Sequence, residues 1–506
     1  MTVEQEATKE LSTEHLSKDL RGRSVRGGLL NLTSQGTQFL IQTAATVILA
    51  RLLTPADFGL VAMVATVTGL AQAFADLGLS EATIQREEIS QDQVSSLFWV
   101  NVAVGLGLMI LTMALSPLIA RFYHDGRLTK IALLSSLNFL FGGLRVQPDA
   151  LLKRQMRFLA LAIRDVSSYG VAVPIAIILA WQGAGYWSIV ALPLLLNFTQ
   201  MWLSWLMIKW RPSRPRWETQ VGSLVAFGGN VAVSYFIVTV SRSADTVLIG
   251  WYTGVGPLGL YSRAYNLLML PVRQFIVPAG SVAIPAFSRL QEYPERFAHY
   301  YLRAVNLILW ISAPIFAFLF VAARPVIVLL LGQQWQEAAP VFQLLAISAL
   351  VQVFLEPIIW LHVSRGRSTE LLKLLVIICP ILIASYAVGL PFGIKGVALT
   401  GSLVQVAMLP WVLRISFRTT ELNLRRFGQA VLYPISLCLI AIFFAELAKY
   451  LIAPKRLLSE ILVVAAAFLL TLLFSSLVPT VQREIASLRQ VFREFRPTSS
   501  AVQTSE

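Results

Sequence analysis

The chain has 506 residues, of which 56% are hydrophobic and 13% charged, with a mean hydropathy of +0.68. A chain this apolar cannot be wetted all round, so lipid is its main solvent and an ordinary soluble fold is excluded. The formal charge of +14 would point to nucleic acid in a soluble protein. Here the cations lie mostly in loops, where membrane orientation and anionic headgroups account for them, and no nucleic-acid role is read.

Residues 1–28 are polar and of mixed sign, without the apolar core of a secretory signal, and are expected to form a cytoplasmic tail. From Leu29 to Pro479 the chain reads as about fourteen apolar stretches near the ~20 residues a helix needs to cross a bilayer. They are placed at 29–50, 58–79, 97–120, 131–151, 166–181, 186–208, 221–250, 258–286, 302–322, 340–362, 371–390, 396–413, 430–447 and 458–477. The expected class is an all-α polytopic membrane protein. Lys and Arg gather in every second loop by roughly three to one, which places both termini in the cytoplasm. The most basic inner segments are Arg145 to Arg164 and the proline-bearing connector Lys209 to Arg216.

A weak internal repeat divides the chain at that connector. Leu49 to Leu60 matches Ile249 to Leu260 at an offset of 200, and Pro117-Leu118-Ile119 matches Pro325-Val326-Ile327 at 208. The expected organisation is an N-lobe of helices 1–6 over 29–208, a basic linker at 209–220 and a C-lobe of helices 7–12 over 221–414. Helices 13–14 over 415–479 and a cytoplasmic tail at 480–506 complete it.

Two chemistries are unsupported. Cys379 and Cys438 both lie inside expected spans, and His15, His124, His299 and His362 lack metal-ligand spacing, so neither a disulfide framework nor a metal site is read. No phosphate-cradling glycine loop of the G-x-x-x-x-G-K-[ST] type occurs, and no cofactor is expected.

Polar groups inside the spans are the candidate site. Asn31, Gln35, Gln38, Gln42 and Thr46 fall on one stripe of the first helix, facing either water or a neighbouring helix. Charges within apolar sequence usually face a cavity or pair with one another. Arg242, Arg263 and Arg273 are the candidate substrate-binding cations, together with Gln35, Gln38 and Gln42; an Arg242–Asp245 pair and a snorkelling Arg263 are the alternatives. Arg273 stands near the middle of its span with no acidic neighbour within a turn. Asp76, Asp245 and Glu356 are candidate sites for a coupling proton or sodium ion, with an interfacial position as the alternative for Asp76 and Glu356. Pro271, Pro278 and Pro285, seven residues apart, suit a helix that bends to gate a cavity, with static packing as the alternative. Guanidinium groups in an apolar cavity need an anion to offset their desolvation, and phosphate or pyrophosphate oxygens suit their planar forks. A lipid-linked pyrophosphate fits.

At these residues the chain resembles the polysaccharide-transporter branch, of colanic-acid-exporter type, of the multidrug/oligosaccharidyl-lipid/polysaccharide flippase superfamily. The resemblance is carried by Ala50 to Leu60 (ARLLTPADFGL), Phe74 to Arg86 (FADLGLSEATIQR), Tyr261 to Leu267 (YSRAYNL), Pro285 to Gln291 (PAFSRLQ) and Leu331 to Leu345. It implies two six-helix lobes around a central cavity, a further helix pair, and alternating access. The implied cargo is a polyprenyl-pyrophosphate-linked oligosaccharide for lipopolysaccharide or exopolysaccharide synthesis at a bacterial inner membrane. Membrane lipids, and polymerase and chain-length machinery, are the implied partners. Asp76 and Arg263 match recurrent family positions, whereas Arg242, Arg273 and Glu356 rest on their apolar surroundings alone. A drug or other lipid-linked-precursor transporter of the same fold is the alternative. A glycan polymerase or ligase is the other, although the short outer loops leave little room for its catalytic groups.

Overall fold

A computed structural model of the full chain describes residues 20–72, 74–75, 80, 83–84, 89–214, 239–240, 242–418, 420–477 and 482. Among these residues the secondary structure is helical, with no strand. The α-helices are α1 Leu20–Leu52, α2 Pro55–Gln72, α3 Gln91–Phe122, α4 Arg127–Arg154, α5 Phe158–Trp181, α6 Tyr186–Met207, α7 Val255–Leu268 and α8 Val277–Arg289. They continue with α9 Pro294–Val321, α10 Ala323–Leu331, α11 Ala338–Ser364, α12 Ser368–Gly389, α13 Gly393–Phe417, α14 Leu424–Ile452 and α15 Leu457–Ser475. Residues 242–253 are also helical.

Among the described residues, eight helical stretches are long and apolar enough to cross a membrane, or nine when the bent pair 255–274 and 278–289 counts as one span. The chain is therefore a multi-pass membrane protein. One of the eight, Ser368–Phe417, is itself a hairpin. At Gly393, φ +69 turns the chain back, and Gly396 then lies so close to Gly389 that a side chain at either would strike the other's backbone. Length and hydropathy alone do not reach the fourteen expected crossings among the described residues: α1, α2 and α4 are helical without being as apolar, and most of the span expected at 221–250 lies outside the described residues. Helix α4 holds Arg127, Lys130, Arg145, Asp149, Lys153 and Arg154.

The residues group into two compact units, 1–262 and 263–506. In the first, α3 and α4 form an antiparallel pair whose separation is set by glycine: a Cβ at Gly105 would stand 2.5 Å from the Phe139 carbonyl oxygen, and one at Gly143 2.6 Å from that of Asn101. Close backbone approach of this kind is the usual basis of helix packing in lipid, where apolar burial between helices supplies little drive. Helix α1 lies on α5, with Gly27 against the Phe158 ring.

The loops of this unit sort into two ends. At one end are the α1–α2 turn, the Asp125–Arg127 turn, Gly185 and Trp251. Gly185 adjoins Asp57, and the Phe122 ring stacks on Trp251 with centroids 6.5 Å apart. There the Arg127 guanidinium, bonded to Asp125 at 2.7 Å, holds its carboxyl below the usual carboxylate range. At the opposite end are the start of α3, the α4–α5 turn and the connector after α6.

The connector is strapped down over residues 208–214. Trp210, fully buried, donates from Nε1 to Gln91 Oε1 at 2.6 Å, and Gln91 Nε2 donates to the Arg211 carbonyl at 2.7 Å. Trp99 Nε1 donates to the Ser213 carbonyl at 2.9 Å, and the Ser213 amide donates to Ser95 Oγ at 3.0 Å. Stacking of Trp205 on Trp210, and Arg211 over Trp205, complete the clasp.

In the second unit, α14 and α15 pack on α9 through Ala313, Ala317, Ala441, Ala445, Val464 and Phe468. Helix α8 meets α11 where Gly280 touches the Trp360 indole, and α11 meets α13 through a hydrogen bond from Ser348 to Gln405 at 2.8 Å.

If the connector is a fixed strap, Trp210→Ala should raise hydrogen-exchange rates at the Ser213 amide by at least about tenfold while leaving the middle of α3 protected. Unchanged exchange at Ser213 would show that the indole does not hold it.

Candidate functional site

Two features of the first unit stand out chemically. The first joins the two copies of the internal repeat. Pro55 opens α2 at a position where its missing N–H has no partner to lose. Thr54 and Asp57 cap the turn reciprocally: the Thr54 amide donates to Asp57 Oδ2 at 2.9 Å and the Asp57 amide to Thr54 Oγ1 at 3.3 Å. Two hundred residues on, Gly254 at φ +83 leads into α7. The helix starts then cross with their backbones in contact. A Cβ at Gly59 would stand 1.8 Å from the Val255 carbonyl oxygen, and one at Gly259 1.8 Å from that of Pro55. Positions 55 and 255, and 59 and 259, are equivalent in the repeat, so each copy presents the same patch to the other. That reciprocity is what a local two-fold relation produces.

The second feature is a polar network joining α4, α5 and α6. Arg164 on α5 is buried and pairs with Asp149 on α4 and with Asp165 at 2.7 Å. Asp149 also accepts from Ser204 Oγ at 2.7 Å and pairs with Arg145 Nε at 3.3 Å. Arg145 in turn donates to Gln200, whose Nε2 donates to Asp165 at 3.2 Å. Farther along the same helices, Asn197 Nδ2 donates to Asn138 Oδ1 at 2.9 Å. Two guanidinium groups face two carboxylates, so the network is charge-balanced.

The residues singled out from sequence are distributed differently. Asp245 is buried, and its carboxylate accepts from Tyr261 Oη at 2.7 Å and from the Thr246 amide at 2.6 Å. Among the described residues the hydrogen-bond partners of Asp245 are thus neutral donors. Arg242, three residues earlier, is exposed. Gln38 is half-buried and donates to Ser34 Oγ at 3.0 Å, while Gln35 and Gln42 are exposed. Asp76 lies outside the described residues.

In the second unit, Arg263 and Glu356 are half-buried, and Arg273 is exposed within a π-helical turn, Val272–Ile276. Pro271, Pro278 and Pro285 do not share one unbroken helix. Pro271 precedes the π turn and Pro278 stands in the first turn of α8, so the missing donors fall at a break. The segments on either side are bent by 41°. The last two helices, α14 and α15, enclose an apolar groove of about 860 Å³ lined by Leu437, Ile440, Phe444, Leu470 and Phe474 among others.

A family model described as "Polysaccharide biosynthesis protein" matches residues 48–340, more than half of the chain. The chain belongs to this family. Teichuronic acid biosynthesis protein TuaB of Bacillus subtilis (strain 168) is 25% identical over 303 residues, 60% of this chain and 63% of TuaB. The match therefore spans less than two thirds of that relative's length. Lipopolysaccharide biosynthesis protein WzxC of Escherichia coli (strain K12) is 24% identical over 392 residues, 74% of this chain and 79% of its own. Succinoglycan biosynthesis transport protein ExoT of Rhizobium meliloti (strain 1021) is 27% identical over 321 residues, covering 63% and 64%.

Among solved structures, lipid II flippase MurJ in an inward closed conformation superposes with TM-score 0.71 at 16% identity, over 89% of this chain and 98% of its own. An inward-facing multidrug MATE transporter of the MOP superfamily gives 0.55 at 13% identity, over 77% and 98%. Both likenesses concern the fold. The polysaccharide-family part of the resemblance read from the motifs is met by the family match, which contains the first four motif stretches, through Pro285 to Gln291.

Sequence reasoning missed the network on α4, α5 and α6, treating Arg145 to Arg164 as a basic inner loop. Only Gln155 to Arg157 are loop; Arg145 and Asp149 belong to α4, Arg164 and Asp165 to α5. The signal was available as spacing. Asn138, Arg145 and Asp149 share a face of α4, and Asn197, Gln200 and Ser204 share a face of α6.

Two predictions test these features. Gly59→Ala and Gly259→Ala should each destabilise the purified protein by about 1–3 kcal/mol through overpacking, while Gly69→Ala and Gly256→Ala, where a Cβ meets nothing within 4 Å, should be near neutral in thermal unfolding. Equal behaviour of the four would contradict the crossing. Arg164→Ala should cost about 3–5 kcal/mol by leaving two carboxylates to share one guanidinium, measured the same way; a wild-type melting temperature would show the network is not coupled.

Proposed function

We propose that this chain is a flippase that moves oligosaccharide repeat units, linked to a polyprenyl pyrophosphate, from the cytoplasmic to the outer leaflet of a bacterial inner membrane. Its products would feed lipopolysaccharide or exopolysaccharide assembly. The observation that carries the reading is membership of the polysaccharide biosynthesis family by a chain built of membrane helices. The names of WzxC and ExoT, a lipopolysaccharide biosynthesis protein and a succinoglycan transport protein, support the cargo class, and MurJ, which shares the fold, is named a lipid II flippase.

The groove between α14 and α15 supports a lipid-linked cargo. Its lining on α14 runs from Tyr433 to Ile452, about 28 Å of helix at the usual rise and so close to the bilayer core's thickness. A polyprenyl chain meets apolar side chains over that whole length.

A finer architecture belongs to the same reading: fourteen crossings, arranged as the repeats 29–208 and 221–414 joined by 209–220, then the helix pair 415–479, with both tails cytoplasmic. Transport proceeds by alternating access, with the π turn between α7 and α8 and its prolines as a hinge. Arg273, with Arg242 and Arg263, is assigned to the pyrophosphate, and Gln35, Gln38 and Gln42 to the cargo. Asp76, Asp245 and Glu356 are assigned to a coupling proton or sodium ion. The chain is a transporter rather than an enzyme, and it works beside polymerase and chain-length proteins.

Arg273→Ala is expected to lower surface polymer by at least tenfold, roughly the loss of one charge-assisted contact, with the protein still in the membrane at wild-type abundance. Normal polymer from that variant would remove Arg273 from the cargo's path.

A further inference from the structure

The seam between α4 and α6 holds more polar capacity than its own network consumes. Its rungs are Asn138 with Asn197, Arg145 with Gln200, and Asp149 with Ser204. Between the first two rungs lies Gly142, where an added Cβ would meet nothing within 4 Å. A glycine in a packed helix pair usually marks close approach, as Gly105 and Gly143 do on α3 and α4. Gly142 instead marks open space.

The groups bordering that space are half-buried: Asn138, Arg145, Asn197 and Gln200 each keep accessible surface. Asn197 uses its amide hydrogens on Asn138 and on the Pro193 carbonyl at 3.0 Å, leaving its Oδ1 as an acceptor among the described residues. Arg145 contacts Gln200 and Asp149 through Nη1 and Nε, leaving Nη2 as a donor among the described residues. Amides and guanidinium groups at this depth are disfavoured against lipid, so the space they border is suited to a polar occupant. Phe141, next to Gly142, and Phe198, next to Asn197, meet edge to face at 5.5 Å and add an aromatic wall.

Charge balance decides what the occupant is. Arg145 and Arg164 are matched by Asp149 and Asp165, so a pyrophosphate would meet two carboxylates and a bare cation two guanidinium groups. A neutral ligand dense in hydroxyls meets neither repulsion, and each hydroxyl both donates and accepts, as Asn197 Oδ1 and Arg145 Nη2 require. We infer that the α4–α6 seam at Gly142 is a saccharide-binding subsite that takes neutral sugar units of the cargo, separate from the arginines assigned to its pyrophosphate. The inference rests on the reading of the chain as a carrier of lipid-linked glycan.

The test uses the purified full-length protein in lipid nanodiscs. Two probes are titrated by calorimetry: oligosaccharide repeat units released from the source organism's own surface polymer, and inorganic pyrophosphate. Gly142→Leu projects a side chain from a position where a Cβ meets nothing within 4 Å, and Asn197→Ala removes the acceptor. Saturable oligosaccharide binding that both variants weaken by about tenfold or more, with pyrophosphate binding unchanged, supports the subsite. Oligosaccharide binding equal to wild type in both variants overturns it, as does the absence of oligosaccharide binding to the wild type. A wild-type protein that moves lipid-linked glycan while failing this test loses the subsite and keeps the flippase reading.

Discussion

The crossing of α2 and α7 constrains everything else in the first unit. Two helix starts meet with backbone against backbone, and neither position 59 nor position 259 has room for a methyl group. In lipid, apolar side chains gain little by leaving one hydrocarbon surface for another, so association depends on close van der Waals contact. Glycine is the residue that permits the closest contact. Because the contact is reciprocal across equivalent positions of the repeat, one ancestral turn serves both sides. The buried Phe58, Leu60, Leu258 and Leu260 flank it in matched places.

The polar network on α4, α5 and α6 answers a different difficulty. Charges inside a membrane protein are disfavoured unless paired, and here Arg and Asp are held in equal number with Gln and Ser completing their hydrogen bonds. Balance of that kind fixes three helices together and also leaves the neighbourhood without net charge. The exposed Arg273 in the second unit has a different character, sitting in a π turn where the regular ladder of the helix is broken. The exposed Arg273 and the charge-balanced network are therefore separate along the chain.

Much of this was legible from the amino-acid order. The span expected at 186–208 is α6, Tyr186–Met207, because an apolar run closed by Gly183 and Gly185 on one side and a Lys/Trp/Arg/Pro segment on the other leaves little freedom in its ends. The repeat at an offset of 200 was visible too, although only coordinates show the two copies touching. The charge network was not legible, since Asp149, Arg164, Gln200 and Ser204 become neighbours only when three helices pack. Read in order, they looked like a basic loop. The proline spacing misled in a simpler way: a period of seven marks one face only if the helix is continuous, and the π turn at Val272–Ile276 breaks it.

Family membership, the membrane-helix architecture and the apolar groove on α14 and α15 all support the proposed carrier of a lipid-linked glycan. Translocation itself is the direct measurement. The purified protein is reconstituted into liposomes carrying the source organism's polyprenyl-pyrophosphate oligosaccharide, radiolabelled in the sugar and loaded in the outer leaflet. A membrane-impermeant glycosidase then reports the fraction still outside. The account predicts protein-dependent protection of the labelled glycan. Glycan that stays fully accessible in protein-containing vesicles, under both proton and sodium gradients, would contradict it.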